Sequence, residues 1–261
     1  MRVCLRIPPC GRRTTRCVVA LGIDRLIACP MNSRRFLITG GSQGIGAALV
    51  KQARAAGHQV VFTGRNDTHI QTTARETGAY GIRADVSADA DNQRMVDECG
   101  AKMGGVDVLI NNAAFGYTAE IGTIDMARMR GLFATNVFGA VDLTNRIVPQ
   151  MQARGDGDIV NIASTSGMKG AKGATVYAGS KWAMRGITQC WQADLRPYGI
   201  RVVCICPSEV QTNWMGKTGR NNPNKLYADD IAATIMAGLD MPRRVLWTEL
   251  AVFANNPWKE D

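Results

Sequence analysis

Histidine is nearly missing from this sequence: His58 and His69 are the only two among 261 residues. Each precedes an apolar stretch far along the chain from any motif, which argues against a Ser-His-Asp triad or a histidine-held metal. Cysteines number eight but form no C-x-x-C pair. Cys4, Cys10, Cys17 and Cys29 lie in the first thirty residues; Cys99, Cys190, Cys204 and Cys206 lie beyond. Cys204 and Cys206, one residue apart in a strand-like run, are expected to face opposite sides. Neither a disulfide framework nor a zinc site is supported, and no bound metal is expected. No apolar run approaches the length that spans a bilayer, so no membrane partner is expected. There is no internal repeat, no low-complexity segment and no sign of a second folded domain.

Acidic residues are scarce only at one end. The formal net charge is +9, and residues 1–30 set six arginines against Asp24 alone, which leaves +4 for the remainder. The basicity is mostly a property of that segment, so nucleic acid is not an expected partner. Residues 1–33 read as a loosely ordered N-terminal extension. Arginine enrichment suits a transit peptide; a secretory signal is opposed by Asp24 and Arg25, which interrupt the apolar run from Val18 to Ile27. The favoured alternative makes Met31 the start, followed at once by the first strand, as in a compact cytoplasmic enzyme.

What the chain does hold is Phe36-Leu-Ile-Thr-Gly-Gly-Ser-Gln-Gly-Ile-Gly46, an apolar run that meets a glycine-rich turn and leaves it as a helix. Ile45, Leu49 and Ala53 repeat along one face of that helix. Strand, glycine turn and helix open a unit that binds a dinucleotide. Gly40 permits the turn, Gly44 lets backbone N–H groups approach a pyrophosphate, and Gly46 lets helix and strand pack closely. Ser42, Gln43 and Ile45 complete this expected cofactor loop. Further strands are predicted at 59–63, 80–83, 106–110, 158–162, 201–206 and 250–253. Helices are predicted up to Glu76 and over 89–103, 124–151, 175–195 and 228–239. The alternation predicts an α/β fold over residues 34–261: a single doubly wound parallel sheet of about seven strands, with helices on both faces.

The second strand ends in Gly64, Arg65 and Asn66, without the carboxylate that would select NAD(H). An arginine with no competing acid suits a 2′-phosphate, so NADP(H) is favoured over NAD(H). Gln43 is uncharged and offers no second basic contact.

With these motifs the chain resembles the simpler, roughly 250-residue branch of the short-chain dehydrogenase/reductase family, and among its members a 3-oxoacyl-ACP reductase. Thr39-Gly-Gly-Ser-Gln-Gly-Ile-Gly46 fits the family pattern T-G-x-x-x-G-x-G, and Asn111-Asn-Ala113 looks like its N-N-A segment. Ser164 stands thirteen residues before Tyr177 and Tyr177 four before Lys181, like the family's Ser and Y-x-x-x-K constellation. The resemblance spans residues 34 to 254. It implies a structural and proton-relay role for Asn136, which would hold a water between Lys181 and solvent. It also implies that Asp85 and Val86 flank the adenine, that Asn112 and Ala113 touch its ribose, and that Val210 and Thr212 approach the nicotinamide carboxamide. Two departures stand out: Ala114 and Ser208 occupy places where the family usually has glycine.

The chemistry follows from the residues themselves. Tyr177 and Lys181 lie one helical turn apart on one face. Acid–base work near neutrality asks a tyrosine to shift by about 3 units, and a neighbouring ammonium pulls in that direction. Ser164 is expected to donate to the substrate oxygen, and Tyr177 to give or take its proton. The expected function is hydride transfer between NADP(H) and a carbonyl or secondary alcohol, small or acyl-carrier-bound, with a 3-oxoacyl thioester as the leading substrate on resemblance. The alternative is a non-catalytic dinucleotide sensor of the same fold. Residues 207–227 are expected to form a mobile cover over the substrate, with Trp214 and Met215 as apolar contacts and Lys217, Arg220 and Lys225 near the mouth. A homodimer or homotetramer is expected from the broad outer faces of the long central helices.

Overall fold

Arg35–Ile38 forms β1, and its side chains already define both layers of the core. Phe36 and Ile38 pack on one face with the helix α1 (Gly44–Ala55), while Leu37 packs on the other. The same two-residue period runs through β2 (Gln59–Gly64) and β4 (Val108–Asn111), where Val60, Phe62, Val108 and Ile110 join the first face and Val61 and Leu109 the second. Both faces are covered, which is why these strands read as continuous apolar runs. A computed structural model describes residues 33–212, 214 and 222–256. The expectations for the N-terminal extension and for Met215, Lys217 and Arg220 fall outside those residues.

The remaining elements are α2 (Asp67–Thr77), β3 (Tyr80–Arg83), α3 (Asp89–Met103), α4 (Met126–Phe133), α5 (Gly139–Arg154), β5 (Gly157–Ile162), α6 (Thr175–Leu195), β6 (Ile200–Pro207), β7 (Val210–Gln211), β8 (Leu226–Tyr227), α7 (Ala228–Leu239) and β9 (Glu249–Val252). Seven strands form one parallel sheet in the order β3-β2-β1-β4-β5-β6-β9. The chain builds outward from β1 to β3, then crosses to β4 on the other side. That reversal opens a crevice beyond the carboxyl ends of β1 and β4, where such sheets bind ligands. Among the described residues no helix is long and apolar enough to cross a membrane.

Three sequence expectations need correction. The helix predicted over 124–151 is two helices joined by a π-helical turn, Ala134–Phe138, and α5 runs through Pro149 to Arg154. The small parallel pair β7–β8, with Val210 opposite Leu226 and Gln211 opposite Tyr227, has no counterpart in the sequence pattern because two-residue strands carry no periodicity. Cys204 and Cys206 share a face of β6, their sulfurs 3.8 Å apart. A period of two puts residues i and i+2 on the same side, so the opposite-face expectation misapplied the pleat.

At the amino ends of the strands, Asp158 is fully buried and receives three arginines. Arg201 Nε donates at 2.6 Å and Arg243 Nη1 at 2.8 Å, and Arg34 also donates to it. Arg201 reaches on to the carbonyls of Leu239 and Met241, tying the end of α7 to β5 and β6.

Candidate active site

The glycine loop follows β1 and is fastened from the β4 side. Thr39 Oγ1 accepts the N–H groups of Asn112 and Ala113, both at 3.0 Å, and donates to the Ile110 carbonyl. Asn112 Nδ2 donates to the carbonyls of Thr39 and Gly40 at 2.9 and 3.1 Å. The amide of Asn112 thus holds the loop, a role different from the ribose contact the resemblance implies. Thr39 is a site residue the sequence reading passes over, although it opens the very motif quoted. A Cβ on Gly46 would stand 2.3 Å from the Gly40 carbonyl oxygen, so only glycine permits this approach of helix to loop. Gly44 has φ of +54° and lies against Thr212. Gln43, extended at the start of α1, provides no side-chain cap, and the first turn holds no acid; α2 and α4, by contrast, are capped by Asn66 and Asp125. The leading N–H groups of α1 and its positive dipole end suit a pyrophosphate. Ile45 packs against the core beneath the loop.

The adenosine end of the crevice differs from expectation in three particulars. Arg65 is well exposed, but Asp85 on the neighbouring strand end places a carboxylate oxygen 3.7 Å from its Nη1, so a competing acid exists after all. It comes from β3, which the end of β2 cannot reveal. Asp85 also accepts the N–H and O–H of Ser87. Asn66 Oδ1 accepts the His69 N–H at 3.1 Å and is the cap of α2. His69, remote from the loop in sequence, brings its Nε2 to 3.4 Å from Gln43 Nε2. Ser42 lies against Gly64, where a Cβ would meet its Oγ at 2.5 Å, and Val86 is buried with its carbonyl bonded to Asn92.

At the other end, β5 and α6 bring Ser164, Tyr177 and Lys181 together. Ser164 Oγ accepts the Ser166 N–H at 3.1 Å and lies near enough to the Tyr177 hydroxyl to favour its ionised form. Lys181 Nζ lies 5.8 Å from the centre of the Tyr177 ring and donates to the Ile162 carbonyl at 2.8 Å. Burial pushes the Tyr177 phenol up, and Ser164 offsets this only in part. Burial also lowers Lys181 to about 8, with the Cys204 and Cys206 sulfurs opposing. The pull expected from Lys181 is not seen on Tyr177 in the protein alone, where burial raises the phenol and only Ser164 opposes it.

Asn136 sits in the π-helical turn. Its Oδ1 accepts the Phe115 N–H at 2.9 Å, while Nδ2 donates to the Phe115 carbonyl and to Ser180 Oγ. Ser180 in turn donates to the Tyr177 carbonyl at 2.7 Å. Asn136 therefore fastens the segment after β4 to α6. Beside it lies a cavity of about 10 Å³ lined in part by Asn111, Asn136 and Lys181, the size of a single water. Asn111 donates to Thr144 Oγ1 and Asn161 Oδ1, and its buried Oδ1 has no donor among the described residues.

The chain after β6 folds back over these groups. Ser208 N–H donates to the Val252 carbonyl at 2.9 Å, extending the β6–β9 ladder past Pro207 with serine in place. Val210 packs on the core, Thr212 abuts the glycine loop, and the Trp214 ring stands 5.8 Å from that of Tyr177, tilted by 56°. Gln211 exchanges hydrogen bonds with the Asn222 backbone, so both ends of this segment are held. Lys225 is paired with Glu209 at 3.0 Å, leaving it committed to a neighbour.

Comparison with known proteins places the chain in a family. A family model described as short chain dehydrogenase matches residues 34–223. An uncharacterized oxidoreductase of Staphylococcus saprophyticus is 30% identical over 222 residues, covering 83% of this chain and 95% of its own. A serine dehydrogenase solved in its closed form with NADP+ superposes with a TM-score of 0.79 at 27% identity, covering 84% of this chain and 94% of its own. A 3-ketoacyl-(acyl-carrier-protein) reductase of Brucella melitensis, solved with NADH, also gives a TM-score of 0.79, at 25% identity, covering 86% and 98%.

Proposed function

Because the chain belongs to the short-chain dehydrogenase/reductase family, we propose that this oxidoreductase uses NADP(H) to interconvert a carbonyl and a secondary alcohol, with Tyr177 as general acid and base. The observation that carries the reading is the Lys181 ammonium, anchored on the Ile162 carbonyl, 5.8 Å from the centre of the Tyr177 ring, with Ser164 close enough to lower the phenol. The glycine loop and the start of α1 would hold the pyrophosphate, and Arg65 the 2′-phosphate. When bound, the dinucleotide supplies or accepts the hydride. Ser164 Oγ–H donates to the substrate oxygen as charge builds there. In reduction the Tyr177 phenol, held protonated by burial, delivers its proton to that oxygen, and in oxidation it removes one. Lys181 replenishes the proton through the small polar cavity it shares with Asn111 and Asn136.

The preference for NADP(H) rests on charge. A phosphate dianion out-competes the Asp85 carboxylate for Arg65, since that exposed pair is open at 3.7 Å. Relatives of known structure bind either form, so the preference belongs to Arg65 and its surroundings. Trp214 makes the apolar wall beside Tyr177, suited to the chain of an acyl group. A 3-oxoacyl thioester is the substrate class proposed, in line with the Brucella reductase. The catalytic unit proposed is the single domain of residues 34–261, assembled as a homo-oligomer in the cytoplasm.

A carbonyl panel with NADPH and NADH tests the whole reading. Tyr177→Phe should abolish turnover and keep NADPH binding; turnover that survives it sinks the assignment, and no turnover by the native chain favours a dinucleotide sensor. Arg65→Ala should weaken NADPH by about tenfold or more and leave NADH unchanged.

A further inference from the structure

Behind Ser164, the β6–β9 edge of the sheet carries three donor atoms that the proposed reaction does not use. The Cys204 and Cys206 sulfurs lie 3.8 Å apart on one face of β6. Glu249, opposite Cys204 in the ladder, brings a carboxylate oxygen within 4.8 Å of both. Two sulfurs bound at about 2.3 Å to one tetrahedral ion stand about 3.8 Å apart, the separation found here. We propose that Cys204, Cys206 and Glu249 form a binding site for one thiophilic divalent cation of the zinc–cadmium class.

Charge and surroundings support the site. Without the ion, the cluster of two thiols, the Glu249 carboxylate and the Arg185 guanidinium is neutral. On loading, both thiol protons leave to solvent, two sulfur–metal bonds form, the carboxylate gives a third ligand and water the fourth. The sum of the ion, two thiolates, one carboxylate and one guanidinium is again zero, so loading adds no net charge to a buried region. Arg185 donates to both Glu249 oxygens, at 2.8 and 2.7 Å, and can keep one of them while the other turns to the metal. The two sulfurs are within hydrogen-bonding distance of each other, and the Arg185 guanidinium is near enough to attract a Cys206 thiolate. Both sulfurs are buried, but the Glu249 side chain is 27% exposed at the sheet edge, which provides the way in. Since Ser164 lies beside Cys206, loading also shifts Ser164 and lowers turnover; this consequence rests on the role proposed for Ser164.

The test titrates the full chain with cadmium(II) and reads the ultraviolet thiolate-to-metal absorbance. Cys190 and the four cysteines before residue 30 are common to every variant, so differences isolate this pair. The native chain should show one more equivalent than Cys204→Ser or Cys206→Ser, zinc(II) should compete it away, and Glu249→Gln should weaken it by about tenfold or more. Native and serine chains titrating alike overturns the site. Should the serine chains not fold, Glu249→Gln decides with both sulfurs intact: unchanged affinity, together with no zinc-dependent rise in native melting temperature, overturns it equally. NADPH-dependent turnover should fall as the absorbance grows. Failure to reduce any carbonyl defeats the proposed function, yet leaves the cadmium titration able to decide the metal site.

Discussion

Lys181 is the residue that most opposes the fold it belongs to. Its ammonium is buried against a single backbone acceptor, the Ile162 carbonyl, and burial lowers it from 10.5 to about 8. Below the folded value the charge is carried at a cost of roughly 3 kcal/mol relative to the unfolded chain. As pH rises from 8 towards 10.5 the unfolded chain binds the extra proton, so this residue's contribution improves with pH. Lys181→Met should therefore match or exceed the native chain in stability at pH 7, with its relative advantage shrinking by pH 10, while losing turnover. Denaturant unfolding at the two pH values checks this; an advantage that does not shrink with pH contradicts it. The helical spacing of Tyr177 and Lys181 makes their pairing legible without any tertiary information. The direction of their shifts was not legible, because desolvation depends on what covers the pair, here β5 beneath and Trp214 above.

Among the elements, α1 shows how closely backbone must approach backbone for the crevice to exist. A methyl at residue 46 would collide with the Gly40 carbonyl oxygen at 2.3 Å and with Asn112 Nδ2 at 2.6 Å, neither of which is a flexible side-chain end. Gly46→Ala should cost about 1–3 kcal/mol of stability and weaken dinucleotide binding by more than tenfold, read by melting and by NADPH fluorescence titration. Unchanged affinity would show that the loop tolerates a wider turn. The glycines were legible because each removes a side chain at a fixed place in a strand–turn–helix pattern. The π-helical turn at Asn136 was not, since Ala134–Phe138 has ordinary helical composition. What widens the helix there is Asn136 turning both amide ends to Phe115 and Ser180, a long-range bond with no local trace. The His69–Gln43 contact and the pairing of Asp85 with Arg65 were missed for the same reason: each joins residues from different elements.

At the scale of the molecule, the two ends of the sheet do different work. The carboxyl ends carry the crevice, while at the amino ends Asp158 gathers Arg34, Arg201 and Arg243 and draws β5, β6 and the end of α7 together. Asp158→Ala strands the buried Arg201 guanidinium, and should lower unfolding free energy by about 3–5 kcal/mol. NADPH affinity measured well below the melting point should stay unchanged, because the brace lies across the sheet from the crevice; a large loss would mean the two ends are coupled. The parallel sheet of about seven strands was legible from alternating apolar runs, but the brace was not, as its arginines come from three separate segments. The β7–β8 clasp carries one more consequence. Its two rungs hold Val210 beside Leu226 and Gln211 beside Tyr227, one strand spacing apart at about 4.8 Å, whatever length of chain runs between them. Doubling that length adds only about 0.6 kcal/mol of closure entropy. The clasp therefore works as a splice junction, at which the intervening stretch can be exchanged for another as a cassette without refitting the rest of the fold.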